Sequence, residues 1–311
     1  MADQEQHVRM PNWGIRKRVK NWLLFRLITT LISFLNFLPR STAISLGGFL
    51  GRLAYLMIGD ARRRTIANLS WAFGKKFDRR ELRRLGSQVF ANVGKNVADA
   101  VRLGKMSWED LEKITEIEGL EHLDEAYQLG KGVIGLTGHI GNFELIAAYF
   151  SLRGYRMSVV GRELYDPRLD RLLVRNRESV GLENIPTSGG VKPIMRALKA
   201  GRFLGVLADQ DSSRVRGVFV NFFGRPARTP AGPGLLSYKT GSPIIPMAIL
   251  RKGKNRYRIV VKPQVELGFS GDREKDLINV TQEYTRVLET IIREHPAQWL
   301  WMHDRWRSKP E

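Results

Sequence analysis

Gly132-Val133-Ile134-Gly135-Leu136-Thr137-Gly138-His139-Ile140-Gly141-Asn142-Phe143-Glu144-Leu145 is the stretch on which the fold turns. Its first six residues form a short apolar run bounded by Gly, which reads as a buried strand, and helical spacing takes over from Phe143 to Leu152. The same alternation extends downstream. Residues 157–160, 203–208, 244–250 and 257–261 read as strands, and residues 167–180, 192–199 and 276–294 as helices. Upstream, Asp78-Arg79-Arg80-Glu81 opens a helix whose apolar positions (Leu82, Leu85, Val89, Phe90, Val93) keep helical spacing, and residues 108–130 read as helix and connector. Strands alternating with helices predict an α/β fold with a mixed, largely parallel sheet flanked by helices. Chemistry in such folds sits beyond the carboxyl ends of the strands.

His139 falls at such a strand end, on a turn flanked by Gly138 and Gly141 that leaves room for a substrate to reach the imidazole. Glu144 follows in the first turn of the next helix. A chain folded tightly over five residues can bring that carboxylate to a ring nitrogen, fixing the tautomer and stabilising the imidazolium formed when the ring takes a proton. The plainer alternative is a surface histidine beside a glutamate favoured by the helix dipole. The sequence has no Cys, no G-x-S-x-G elbow, no P-loop and no G-x-G-x-x-G after a strand. The five His (His7, His122, His139, His295, His303) show no metal-ligand spacing, so no metal site is expected. A His base with a carboxylate and no protein nucleophile suits direct attack of a substrate hydroxyl on an activated acyl group.

The chain of 311 residues carries a formal charge of +20, with 43% hydrophobic and 26% charged residues. That composition belongs to a folded protein with an anionic partner. Residues 1–64 hold eleven Lys/Arg against three Asp/Glu, and residues 196–262 hold fourteen against two, Asp209 and Asp211. Nucleic acid is one anionic partner, but no zinc finger, basic zipper or KH-type loop is present, and no nucleic-acid partner is expected. Arg16-Lys17-Arg18-Val19-Lys20 instead leads into an apolar run from Trp22 to Leu38, stopped by Pro39. Its polar members Arg26, Thr29, Thr30, Ser33 and Asn36 recur every three or four residues and form one helical stripe. A basic leader, a boundary Trp and an apolar helix predict an N-terminal membrane-associated helix, with Arg16, Lys17, Arg18, Lys20, Trp22, Phe25 and Phe34 as attachment residues. A buried core helix and a signal peptide are the alternatives, the latter opposed by the run's length and by Arg26. Gly47 and Gly51 in the next apolar stretch would let another helix approach closely, and Arg62-Arg63-Arg64 closes it. Residues 1–64 are therefore read as leader and membrane-associated helices, and residues 65–311 as the α/β domain.

The His139-x4-Glu144 motif in its setting resembles the catalytic block of the bacterial lipid A biosynthesis late acyltransferases (lauroyl/myristoyl type), within the lysophospholipid acyltransferase superfamily. Three further blocks follow in the family's order. Ala208-Asp209-Gln210-Asp211 resembles its D-Q-D segment. Gly217-Val218-Phe219-Val220-Asn221-Phe222-Phe223-Gly224-Arg225-Pro226-Ala227-Arg228-Thr229-Pro230-Ala231-Gly232-Pro233 resembles its second long signature. Gln298-Trp299-Leu300-Trp301-Met302-His303-Asp304-Arg305-Trp306 resembles its C-terminal one. The superfamily's glycerolipid enzymes usually carry Asp where this chain has Glu144, and the lipid A branch admits Glu.

The resemblance implies a glycerolipid acyltransferase-like fold and transfer of a fatty acyl chain from acyl carrier protein, or from CoA, to a hydroxyl of a phosphorylated lipid A precursor. It places the reaction at the cytoplasmic face of the bacterial inner membrane, with the thioester as co-substrate and no other cofactor. It implies His139 as general base and Glu144 as its orienting carboxylate. Backbone N–H groups at the start of the helix, or Arg162 after the next strand, become candidates for the oxyanion, Asn142 a candidate for binding substrate, and Arg175 and Arg177 candidates for phosphate, unless they only occupy an exposed helix face. Asp209, Gln210 and Asp211 are then site residues or ion-paired scaffolding. Arg225, Arg228 and Thr229 of a Gly/Pro-rich loop could grip a phosphate. Trp299, Trp301 and Trp306 read as core or interface aromatics, with His303 and Asp304 structural. Relatives acting on other glycolipids, such as phosphatidylinositol mannosides, and a non-catalytic anionic-lipid-binding protein are the competing functions.

Overall fold

The computed structural model describes residues 13–268 and 270–310, and His7 lies outside them. Four helices come first: α1 (Ile15–Phe37), α2 (Arg40–Met57), α3 (Gly59–Phe73) and α4 (Arg79–Ala100). Pro39 makes the α1–α2 corner, since the residue before a proline is pushed out of helical geometry, and Leu38 is extended (φ −69°, ψ 153°). A capping box starts α4: Asp78 accepts from the Glu81 amide while the Glu81 side chain accepts from the Asp78 amide. The close approach expected at Gly47 and Gly51 is made, against α4. A Cβ at Gly47 would lie 2.4 Å from the Gly94 carbonyl oxygen, and one at Gly51 2.1 Å from that of Phe90.

The α/β body continues with α5 (Trp108–Ile114), β1 (Thr115–Glu118) and α6 (Leu120–Gln128). It then runs through β2 (Val133–Thr137), α7 (Phe143–Leu152), β3 (Met157–Gly161), α8 (Pro167–Glu178), β4 (Glu183–Pro186), α9 (Val191–Lys199) and β5 (Phe203–Leu207). A hairpin, β6 (Gly217–Phe222) and β7 (Arg225–Pro230), precedes α10 (Gly232–Thr240), β8 (Ile244–Lys252), β9 (Arg256–Val261) and α11 (Arg273–Glu294). Seven strands make the main sheet in the order β1-β9-β8-β2-β5-β3-β4. Every neighbouring pair is parallel except β8–β9. The mixed, largely parallel sheet flanked by helices is as expected.

Side-chain alternation along the strands divides the core in two. Val133, Phe203 and Ile245 pack with Leu111, Leu123 and the α7 residues Leu145–Phe150 on one face. Ile134, Leu204 and Ile244 pack with Leu198, Leu236, Leu277, Tyr284 and Leu288 on the other. Each fully buried Leu or Ile here stabilises the fold by about 1.5–3 kcal/mol. Both faces of β2 are covered, which is why its run is continuously apolar.

One expectation is corrected. The Gly/Pro-rich stretch around 217–230 is an antiparallel hairpin. Its prolines disguise it: Pro226 and Pro230 lie in a two-stranded ribbon, where a missing N–H is tolerated, and Phe223 and Gly224 turn the chain with φ of 54° and 76°. Of the readings open for the apolar run of α1, a buried core helix does not fit. Leu35 is its one buried residue, while Trp22, Leu23, Leu24, Leu27, Leu31, Phe34 and Phe37 are exposed. Among the described residues no single helix is long and apolar enough to cross a membrane; α2 and α3, bent by 93°, pass that test only as a pair.

Candidate active site at the carboxyl ends of the central strands

β2 and β5 are parallel neighbours in a register that sets Thr137 beside Leu207. Two residues beyond each strand end, His139 and Asp209 therefore meet. His139 Nδ1 lies 2.8 Å from Asp209 Oδ1 and the His139 backbone N–H donates to Oδ2 at 2.7 Å. The Trp299 indole N–H donates to the same Oδ2 at 2.7 Å. Burial by itself raises the Asp209 pKa, but the His139 charge and these N–H donors outweigh it and hold the carboxyl down at about 2. A carboxylate charged at all ordinary pH thus faces Nδ1. Nε2 is left as the open nitrogen of a ring whose side chain is 21% exposed.

The turn is clamped on its other side by the C-terminal segment. The Gly141 N–H donates to the Gln298 carbonyl at 2.9 Å and the Leu300 N–H to the His139 carbonyl at 3.1 Å. Gly141 has φ 57°, and a Cβ there would lie 1.5 Å from the Ile249 carbonyl oxygen, so only Gly fits. Phe143 sets its ring edge-on to His139, centroids 5.0 Å apart. α7 then starts with no side-chain cap, and its first amides have no intrahelical partner.

The expected contact between Glu144 and the imidazole is replaced by that of Asp209. Glu144 is one position into the α7 turn, and Arg177 of α8 claims its carboxylate with two bonds, Nε to Oε2 at 3.0 Å and Nη2 to Oε1 at 2.6 Å. The remaining Arg177 nitrogen donates to Asn184 at 2.6 Å. Arg177 also lines a cavity of about 370 Å³ with Arg162, Glu163, Asp170 and Asn184. Arg162 is on its exposed rim at the end of β3, whereas Arg175 is on the exposed face of α8.

The other candidates separate from the imidazole. Asn142 is buried, its amide donating to the Tyr257 hydroxyl at 3.2 Å and the Asn96 carbonyl at 3.4 Å. Gln210 is half-buried beside Asp209. Asp211 accepts from the Ser308 N–H (2.8 Å) and hydroxyl (3.1 Å), which makes it scaffolding. Arg228 braces the 212–215 loop through the Ser212 and Val215 carbonyls, and Arg225 stacks on Trp71. Thr229 is buried against Arg305. The hairpin arginines are thus engaged by protein. His303 is half-buried; burial lowers its pKa, Asp209 pulls it back up and His139 lowers it further. Among the described residues no group of three or more His, Asp or Glu could hold a metal. The pairing of Asp209 with His139 and the donor role of Trp299 escaped the sequence reading. Their signal was an equal offset of two residues past two apolar strands.

Fold and site together describe an α/β enzyme whose histidine is held by a buried carboxylate at the sheet's carboxyl edge. Comparison with known proteins gives that class its particular form. The family model for bacterial lipid A biosynthesis acyltransferase matches residues 14–308. A lipid A biosynthesis acyltransferase of Haemophilus influenzae is 23% identical, the match covering 100% of this chain and 98% of the relative. The lipid A biosynthesis lauroyltransferase of Escherichia coli is 25% identical over 88% of each chain. A phosphatidylinositol mannoside acyltransferase of Mycobacterium tuberculosis is 30% identical over 69% of this chain and 68% of its own. The chain belongs to the bacterial lipid A biosynthesis acyltransferase family and is an O-acyltransferase.

Proposed function

We propose that this enzyme moves a fatty acyl chain from a thioester of acyl carrier protein, or of CoA, to a hydroxyl of a lipid A-type glycolipid, with no cofactor beyond that co-substrate. One observation carries the reading: Asp209 fixes His139 through Nδ1 and leaves Nε2 open. Nε2 takes the proton of the acceptor hydroxyl as its oxygen attacks the thioester carbonyl, and Asp209 balances the imidazolium. The resulting oxyanion lies beside the uncapped first amides of α7, which can donate to it. Collapse breaks the C–S bond, the Nε2 proton passes to the leaving sulfur, and ester and thiol depart. No acyl-enzyme forms.

Arg162, exposed at the cavity rim, can meet a phosphorylated acceptor, whereas Arg177 has all three nitrogens taken by Glu144 and Asn184, and Glu163 and Asp170 add negative charge to the lining. The family model and the relatives matched over most of the chain favour a lipid A precursor, and the phosphatidylinositol mannoside acyltransferase, more identical over a shorter match, keeps that glycolipid as the second acceptor. The exposed apolar row of α1 beside Arg16, Lys17, Arg18 and Lys20 supports attachment to the inner membrane from the cytoplasmic side. Trp22 and Phe34 are exposed for that role, whereas Phe25 is half-buried under the Arg168 guanidinium.

His139→Ala should lower acyl transfer from acyl carrier protein to a lipid A precursor by about 10²–10⁴-fold while vesicle binding stays unchanged. Wild-type turnover by this variant would sink the mechanism. Mass spectrometry of glycolipids from cells lacking the protein should show one acyl chain missing, and the glycolipid affected names the acceptor.

A further inference from the structure

Below the catalytic turn lies a buried cluster of charge. Asp99, in the last turn of α4, is fully buried, yet it faces two guanidinium groups. Arg40, the first residue of α2, binds it with two bonds, Nε to Oδ1 at 2.9 Å and Nη2 to Oδ2 at 3.0 Å. Arg251 of β8 reaches Oδ2 at 3.2 Å with a side chain only 3% exposed. The Tyr257 hydroxyl donates to that same oxygen. The hydroxyl also accepts from Arg251 Nη2 and from the Asn142 amide, so its one proton and two lone pairs are all used. Its ring lies under both guanidinium groups, at 4.7 Å from that of Arg251 and 5.8 Å from that of Arg40.

From this cluster two paths reach the turn that carries His139. One runs from Asp99 through the Tyr257 hydroxyl to Asn142, the residue before the uncapped amides of α7. The other runs from Arg251 through Asn96, whose side chain accepts at 3.1 Å and whose amide donates to the Gly141 carbonyl at 2.7 Å. Gln298 closes the frame. Its side chain brackets the Arg251 backbone at 2.7 and 3.1 Å, and its carbonyl accepts from the Gly141 N–H. In the opposite direction the cluster ends on Arg40, directly after the α1–α2 corner. Three bonds hold that corner to residues 101–105, just past α4: Asn36 to the Val101 carbonyl, Arg102 to that of Leu35, and Lys105 to that of Asn36.

A cluster built only for stability would gain from apolar replacements, since buried ion pairs contribute little net and Arg251 Nε and Nη1 have no partner here. We propose that Asp99 is a positioning residue for acyl transfer: through Tyr257 and Asn142 it fixes the turn bearing His139 and the first amides of α7, and through Arg40 it ties that turn to the α1–α2 corner. The inference rests on the acyl-transfer reading of the turn. Asp99 touches no substrate and acts through where it holds the turn.

Tyr257→Phe tests this, because it removes one oxygen and keeps the ring between the two guanidinium groups. With acyl carrier protein thioester and lipid A precursor, kcat should fall about ten-fold or more, with KM for both substrates within about two-fold of wild type. Asn142→Ala should do the same, and the double variant should be no slower than the worse single one, since both cut one path. Asn142→Ala alone serves if the tyrosine variant does not fold. An unchanged kcat per folded molecule in these variants, or a loss confined to KM, overturns the inference. Loss of turnover in His139→Ala together with full kcat in Tyr257→Phe removes this inference alone; turnover retained in His139→Ala removes the acyl-transfer reading first.

Discussion

The carboxyl edge of the sheet and helix α1 depart from ordinary burial in opposite ways. At the edge, Asp209, Asp99 and Arg251 are charged side chains taken almost wholly out of water. On α1, Leu23, Leu27 and Phe37 are apolar side chains left 55–86% exposed. Folding alone explains neither, since charges are rarely buried without a partner and contiguous apolar surface is rarely left open. The contrast teaches where stability has been given up for another purpose. Inside, it holds an imidazole in one orientation; outside, it leaves the apolar row on which the proposed membrane attachment rests.

If the edge is a rigid frame, its backbone should be the least tolerant part of the molecule. Gly141→Ala combines a positive φ with a Cβ inside van der Waals distance of the Ile249 carbonyl. A loss of more than about 4 kcal/mol, or no soluble folded protein, is expected in chemical denaturation. A variant of near wild-type stability would show that the turn can move. Asp209→Asn comes next. It keeps the shape and removes the charge, so transfer should fall about 10²–10⁴-fold with KM little altered. Glu144→Gln should be milder, because it weakens the hold on Arg177 and leaves the imidazole untouched. A loss of about ten-fold, mainly in KM for the phosphorylated acceptor, is expected. An equal loss in Asp209→Asn and Glu144→Gln would erase the distinction between the two carboxylates.

Acid should also separate the two regions. The Asp209 pKa is held at about 2, below the ordinary value of about 3.9 for an unfolded chain. A depressed carboxyl contributes stability above pH 4, here of about 2 kcal/mol, and loses it as pH falls through 2. His303 and His295 are lowered by burial, so the unfolded chain binds their protons more readily, and stability declines as pH falls below about 6.5. Melting temperature followed from pH 8 to 2 should fall in both windows, and Asp209→Asn should make the lower fall shallower without removing it, since Asp166, Glu116, Glu118 and Glu163 are lowered too and share that window. Nothing on α1 titrates in either window, so changes to that helix should leave the curve alone.

What the sequence made legible follows from the range of the interactions. β2, α7 and the turn between them are local, and the apolar run, the helical spacing and the Gly-flanked His139 placed them within a residue or so. The identity of the imidazole's partner is not local. It depends on β5 pairing with β2, although β3 and β4 intervene in the chain, and no periodicity reports strand order. Glu144 looked right because it was near in sequence; Asp209 is right because the sheet register brings it there. The Asp99 cluster was less visible still, since Arg40, Asp99, Arg251 and Tyr257 come from four elements spread over two hundred residues. The hairpin was hidden by its own prolines.

The exposed face of α1 gives the smallest expected effect on the fold and the clearest contrast with the edge. Leu27 is 67% exposed and Leu23 55%, so neither contributes much buried area. Replacing both with Asn should change unfolding free energy by less than about 0.5 kcal/mol per site, the range for surface positions. It should also leave kcat on short-chain, water-soluble substrates at the wild-type value. If this row meets lipid, binding to vesicles containing anionic lipid should drop about a hundred-fold or more, because about 1.5–3 kcal/mol of transfer free energy is lost per Leu. If the double variant instead unfolds while still binding vesicles, α1 packs against protein and the apolar row belongs to the fold. If it remains folded and active but no longer binds, the exposed helix and the buried edge are separable functions of one chain.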